Sequence, residues 1–170
     1  MTTPRRIAWE ACTWIAAISQ EKRPLKDGSI EDRANMCNPI LASARKGNLE
    51  IATSALSLVE VCKGSMGKTI SKDSLESFFR NSYVLVVPLN IEVGSVARDL
   101  MMFGYPKLKP ADASHVATAL VARATELHTF DDALLNLNNE IPRLDTGFLR
   151  IVKPQLGLGT MPLFEAPSLK

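Results

Sequence analysis

Short runs rich in β-branched and aromatic residues alternate along this chain with longer stretches of helical period, and no tight-turn signal joins one short run to the next. Strands separated by helices must be linked by crossover connections, which are right-handed and give parallel pairing. A parallel sheet needs a layer of helices on each face. The expected fold is therefore α/β, a three-layer α/β/α sandwich around a mainly parallel four- or five-stranded sheet.

The elements follow from local signals. Ile7 to Trp9 reads as the first strand and Cys12 to Ile18 as a helix that is apolar on nearly every side, followed by a polar connection from Glu21 to Gly28. Ser29 is placed to cap a helix that runs to Lys46, where Gly47 and Asn48 supply the stop. Ile51 to Thr53 forms the second strand, Ser54 opens a helix ending near Lys63 and Gly64, and Ser71 caps a fourth through Phe79. Tyr83 to Leu89 is the third strand. Asn90 caps a helix closing at Gly104, and Pro110 suits the first turn of another that reaches Thr125. Leu127 to Thr129, a helical turn from Ala133 to Leu137 and an edge strand from Leu149 to Val152 complete a domain spanning residues 1–153. Residues 154–170, which include Pro154, Gly157, Gly159, Pro162 and Pro167, have no apolar period and read as a tail.

Composition excludes little but narrows the setting. A chain of 170 residues with 46% hydrophobic content has enough apolar material for one core. Twenty basic against 18 acidic side chains leave a net charge of only +2, so an anionic partner must be held by a local patch. The three cysteines, Cys12, Cys37 and Cys62, form no CxxC pair and read as buried thiols of a reducing compartment. Glu10 interrupts the apolar run behind Arg5 and Arg6, and no apolar stretch reaches the roughly 18 residues of a membrane span, so a soluble cytoplasmic protein is expected.

Three acids stand alone among apolar neighbours. Glu10 is the only charged residue between Ile7 and Ile18, Glu60 the only one between Ala55 and Cys62, and Asp112 the only one between Pro110 and Val121. A buried carboxylate without a partner is costly, so such acids are usually paired or bound to a metal. Asp131, beside Asp132, follows the fourth strand. Each has an ordinary alternative: Asp112 at the positive end of its helix, Asp131 as a cap, Glu10 or Glu60 against a buried arginine. All four nevertheless fall at the carboxyl ends of strands or in the first turns beyond them, where parallel sheets bind ligands.

The segments carrying these acids resemble the PIN-domain family. TSALSLVEV, Thr53 to Val61, looks like the block in which a hydroxyl residue ends the second strand and a Glu follows six positions later, here Ser54 and Glu60. ADASHVATAL, Ala111 to Leu120, with LHTFDDALL, Leu127 to Leu135, looks like the later block and maps onto Asp112, Thr129 and Asp131. In IAWEACTWIA, Glu10 stands where the family normally has Asp. The resemblance implies a PIN-like fold, RNA cleavage with Mg²⁺ or Mn²⁺ held by Glu10, Glu60, Asp112 and Asp131, and the toxin role in a toxin–antitoxin pair. RNA and an antitoxin protein are then the expected partners, and a homodimer or larger homo-oligomer the expected assembly.

Such residues suit such ions, because hard divalent cations prefer carboxylate and water oxygens. Thr129 is placed to orient a ligand carboxylate, whereas Ser54 reads better as a strand-end cap. His115 lies one turn beyond Asp112 and His128 just before Thr129, with no assigned role. Lys107 and Lys109, Arg98, or Lys22, Arg23 and Lys26 are candidates for gripping RNA. No phosphate-binding glycine loop, zinc site or Ser-His-Asp triad is present in the sequence pattern. A PIN-like module that binds without cutting, and another metal-dependent phosphoesterase on a similar sheet, remain as alternative readings.

Overall fold

The computed structural model describes residues 4–63 and 70–156. Its elements run β1 (Arg5–Trp9), α1 (Ala11–Ser19), β2 (Lys22–Pro24), β3 (Ile30–Asp32), α2 (Arg33–Arg45), β4 (Leu49–Ser54), α3 (Leu56–Glu60), α4 (Lys72–Phe79), β5 (Val84–Val87), α5 (Ile91–Phe103), α6 (Pro110–Val121), β6 (Glu126–His128), α7 (Asp132–Leu135) and β7 (Arg150–Val152). Five strands form one sheet in the order β5-β4-β1-β6-β7, and every neighbouring pair is parallel. The expected architecture and the edge position of the last strand both hold.

The first strand is central and buried on both sides, which explains why Ile7, Ala8 and Trp9 are all apolar. Successive side chains point to opposite faces. Ile7 and Trp9 enter the cluster formed with α1, α2 and α4, which includes Trp14, Ile40 and Phe79. Ala8 enters the one formed with α5 and α6, which includes Val93, Val116 and Ala117. Trp14 packs on edge against Trp9 at 4.8 Å between ring centroids and tilts against Phe79 at 5.0 Å. Its indole N–H donates to the Thr53 hydroxyl at 3.0 Å, and that hydroxyl donates to the Trp9 carbonyl at 2.8 Å, so α1, β4 and β1 are locked together inside an apolar layer.

Helix ends follow the sequence with informative exceptions. Ser71 and Asn90 cap α4 and α5 as expected, accepting from the N–H groups of Ser74 and Val93. Gly47 takes φ +77° after α2, where a left-handed residue closes the turn as Asn48 N–H returns to the Ser43 carbonyl. Ser29 does not cap α2. Asp32 does, because the preceding segment is a two-stranded antiparallel hairpin, β2 with β3, rather than an unstructured connection. Ser29 instead bonds Asp27 through both its hydroxyl and its N–H at the hairpin tip. The α6 helix stops at Val121 rather than Thr125: Arg123 turns left-handed at φ +56°, and the Arg6 guanidinium donates to the freed Ala122 carbonyl at 2.7 Å.

Two further expectations change. The α3 helix is short and leaves Leu58 and Val59 exposed, so Glu60 does not sit on a wholly buried helix; the expected stop at Gly64 lies outside the described residues. Of the cysteines, Cys37 is buried and Cys12 half-buried, but Cys62 is exposed. Pro154 is buried, and the expected tail lies from residue 157 onward outside the described residues. Among the described residues no helix is long and apolar enough to cross a membrane.

The strand starts carry a charge cluster that sequence reading does not anticipate. Glu126, 1% exposed, accepts from Arg5 and Arg150 at 2.6 Å each and lies 2.9 Å from His128 Nε2, joining β1, β6 and β7. Burial alone would raise the Glu126 pKa, but His128 and the two arginines outweigh it and hold the carboxyl below its ordinary 4.5. Its ionised form therefore adds stability that is fully present above the ordinary value and is lost as the pH falls through the lower folded value. Glu126→Ala is expected to remove about 1–3 kcal/mol, less than a fully buried pair because both arginines reach solvent. Chemical denaturation at neutral pH and again near pH 3 checks this, with the difference between variant and wild type shrinking at the acid end.

Candidate metal site at the carboxyl edge of the sheet

All five strands end at one edge, and four sequence-selected acids lie on the chain just beyond strand ends or at the start of α6. Glu10 directly follows β1 with extended backbone, φ −89° and ψ 173°, and occupies the N-cap position of α1, where its carbonyl accepts from Thr13 N–H while its side chain makes no cap hydrogen bond. The side chain, 7% exposed, turns to the neighbouring strand: the Thr129 hydroxyl donates to Glu10 Oε1 at 2.9 Å, and the Cys12 thiol hydrogen-bonds the same oxygen.

Thr129 is fully buried one residue beyond β6, and both sides of its hydroxyl are used. It donates to Glu10 and accepts from Asp131 N–H at 2.9 Å. The segment is further fixed by Thr129 N–H to the Val152 carbonyl, by Phe130 N–H to the Cys12 sulfur at 3.1 Å, and by the Arg33 guanidinium 4.5 Å over the Phe130 ring. The Thr129 hydroxyl thus ties the Glu10 side chain to the Asp131 backbone. Cys12 is the contributor that sequence reasoning missed. Burial and then the Glu10 carboxylate push its pKa up, so it stays a protonated donor.

Asp131 caps α7 through Oδ1, which accepts from Ala133 N–H at 2.7 Å and Leu134 N–H at 3.4 Å. Its ordinary alternative is thus realised, yet Oδ2 makes no hydrogen bond among the described residues. Asp112 sits in the first turn of α6 behind Pro110. Burial and then the Asp131 charge push its pKa up, with a smaller push from Glu60, while Lys109 and His115 pull the other way. Asp112 therefore feels Asp131 and Glu60 as like charges.

Glu60 has partners that the sequence did not make obvious. Lys63 approaches Oε1 at 2.9 Å and His115 Nε2 approaches Oε2 at 2.6 Å. Burial acts to raise its pKa, but His115 and Lys63 overcome that and leave it lowered. His115 is 2% exposed, and its Nδ1 has no partner among the described residues. The signal was its position three residues beyond Asp112, on the same helix face. His128, by contrast, belongs to the Glu126 cluster at the strand starts.

The other expected contributors divide. Ser54 accepts from Leu56 N–H at 3.2 Å, the capping role. Arg98 is paired with Asp99 and Lys22 with Asp32. Lys107 and Lys109 line a cavity that reaches Asp112.

For a divalent ion the donor chemistry fits: hard carboxylate oxygens, an Asp112 destabilised by like charge, and one free oxygen on Asp131. Among the described residues, no three Asp, Glu, His or Cys side chains are yet arranged around a single point as metal ligands. Glu60 and Glu10 are turned instead to Lys63, His115, Thr129 and Cys12.

A five-stranded parallel α/β/α domain with an acid-lined carboxyl edge defines the class. The sequence matches the family model for the PIN domain over residues 11–139, and the chain belongs to the PIN-domain family. Glu60, Asp112, Thr129 and Asp131 fall inside that match, and Glu10 directly precedes it. Among solved structures, the chain is similar to Mycobacterium tuberculosis VapC20, described as a toxin cleaving the sarcin-ricin loop: 16% identity, 74% of this chain and 90% of that one covered, TM-score 0.53. It is also similar to a chain of a toxin–antitoxin complex from Klebsiella pneumoniae: 18% identity, 74% and 86% covered, TM-score 0.51. No curated protein matches the sequence.

Because the folded protein holds the Asp112 proton more tightly than an unfolded chain, ionisation of Asp112 subtracts stability above its folded pKa and has no effect below its ordinary 3.8. Asp112→Asn is expected to raise the melting temperature of the metal-free protein at neutral pH, by a small amount because solvent screens this partly exposed carboxylate. The gain should vanish near pH 3. Calorimetry at both pH values in EDTA checks it, and a lower neutral-pH melting temperature in the variant would show that Asp112 makes a stabilising contact instead.

Proposed function

We propose that this chain is an endoribonuclease that hydrolyses RNA phosphodiester bonds with Mg²⁺ or Mn²⁺, and that it is the toxin of a toxin–antitoxin pair acting in the cytoplasm. The observation that carries the reading is the Asp112 carboxylate, held in the field of Asp131 and Glu60 at the sheet edge of a PIN domain. That one similar structure is a toxin and the other belongs to a toxin–antitoxin complex supports the biological role and an antitoxin partner.

Glu10, Glu60, Asp112 and Asp131 would hold the ion. When bound it supplies positive charge to the phosphate and lowers the pKa of the attacking water. The chain does the rest. Thr129 keeps Glu10 and the Asp131 backbone in one arrangement, so two acids from different strands share a fixed frame. His115 and Lys63 set the direction of Glu60. Asp112 and Asp131 Oδ2, free of hydrogen bonds among the described residues, remain available to a ligand. In the hydrolysis itself a water oxygen bonds to phosphorus, the bridging P–O bond breaks, and the water proton passes to the carboxylate-lined edge while the leaving oxygen takes a proton from solvent.

Labelled RNA should be cut in Mg²⁺ or Mn²⁺ and left intact in EDTA. Asp112→Asn should abolish cleavage. Thr129→Val keeps the shape but removes both hydrogen bonds, and is expected to lower the rate by about 10–100-fold with the circular dichroism spectrum unchanged. A Thr129→Val enzyme as fast as wild type would break the link between this hydroxyl and the chemistry, and no metal-dependent cleavage of any RNA by the wild type would sink the nuclease reading.

A further inference from the structure

The cavity beside Asp112 has a shape and lining that the cleavage chemistry does not require. It measures about 500 Å³, within the roughly 300–1,000 Å³ of small-molecule pockets, and lies between the 104–109 segment and α7. Tyr105, Leu108 and Leu137 give it apolar walls. Four charged or amide side chains share its lining: Lys107, Lys109, Asp112 and Asn136.

Its walls are held in place without a ligand. Tyr105 donates its hydroxyl to the Glu140 carbonyl at 2.7 Å, and its ring packs on the core beside α5 and α6. Leu108 is buried, and its N–H returns to the Tyr105 carbonyl at 3.0 Å. Asn136, by contrast, makes no side-chain hydrogen bond among the described residues, nor do Lys107 and Lys109 form ion pairs among them. An aromatic and aliphatic slot whose lining also holds an uncommitted amide, two cations and the Asp112 carboxylate has the chemistry of a receptor for an unpaired nucleotide. The base lies against the apolar wall, an amide offers both donor and acceptor to its edge, and ammonium groups face the phosphate.

We propose that this cavity binds one unpaired nucleobase of the RNA next to the scissile phosphate, with Tyr105 and Leu108 as the contact wall, Asn136 as the edge reader, and Lys107 and Lys109 as the phosphate contacts. This rests on the ribonuclease reading of the Asp112 site, and it adds that the substrate must present a base out of its helix. Asn136 then contributes to base preference and the lysines to affinity for any sequence.

The test is binding without cleavage. The full chain, isotopically labelled and kept in EDTA, is titrated with AMP, GMP, CMP and UMP, and with ribose 5-phosphate as the base-free control, while amide resonances are followed. At least one nucleotide should perturb amides at 104–109 and 133–137 and bind at least about fivefold more tightly than ribose 5-phosphate. Ala133→Trp, which fills the cavity from α7, should abolish that perturbation. Asn136→Ala, a surface truncation that leaves the fold alone, should level the affinities of the four nucleotides. The proposal is overturned if ribose 5-phosphate binds as well as the nucleotides, if the perturbed amides lie elsewhere, if no nucleotide binds, or if both variants bind like wild type. A protein that binds nucleotides here but cuts no RNA would refute the nuclease reading alone. One that cuts RNA yet binds no base here would refute only the pocket.

Discussion

A parallel sheet covered on both faces confines polar chemistry to its two edges, and the two edges of this sheet are treated in opposite ways. At the strand starts, Glu126 is buried but matched by Arg5, Arg150 and His128, so its charge is neutralised within the protein. At the strand ends, Asp112 feels the charges of Asp131 and Glu60, opposed by Lys109 and His115. One edge therefore fastens strands together, while at the other the repulsion acting on Asp112 is left in place. Fastening and the proposed ligand site are thus at opposite ends of the same strands, so that strain at one end does not loosen the sheet at the other.

Much of this was legible because it depends on period and position. The alternation of strand and helix gave the sandwich, and the burial of Ile7, Ala8 and Trp9 on both faces follows from their unbroken apolar run. Isolation of Glu10, Glu60 and Asp112 among apolar residues drew attention to the strand-end edge, since local contrast is visible in one dimension. The β2–β3 hairpin was hidden because its strands are three residues long and mostly charged, leaving no alternation to detect, and its tip is held by Asp27 and Ser29 rather than by an apolar pair.

Pairing was the part that the sequence hid. Glu60 looked unpartnered because His115 comes from a helix 55 residues further on, and Lys63 has to curl back within one turn. Cys12 read as ordinary core, yet its sulfur lies between the Glu10 carboxylate and Phe130 N–H. Glu126 drew no attention because its cations come from the first and last strands. Thr129 was recognised through a family pattern, whereas its two-sided hydrogen bonding needed the β1–β6 register, Trp9 beside His128, to be known.

The strand order also has a consequence for how the molecule comes into being. β1 is made first but lies at the centre, so β4 can close one side early while the other side waits for β6, more than half the chain later. Contacts of such long separation slow folding, and a chain emerging from the ribosome carries an unpaired central edge until residues near 128 are free. Glu10 lacks its Thr129 donor through that whole interval. The acidic edge is thus completed only once β6 has joined the sheet, and a nascent or truncated polypeptide that stops short of β6 carries Glu10, Glu60 and Asp112 but neither Asp131 nor the Thr129 hydroxyl that holds Glu10.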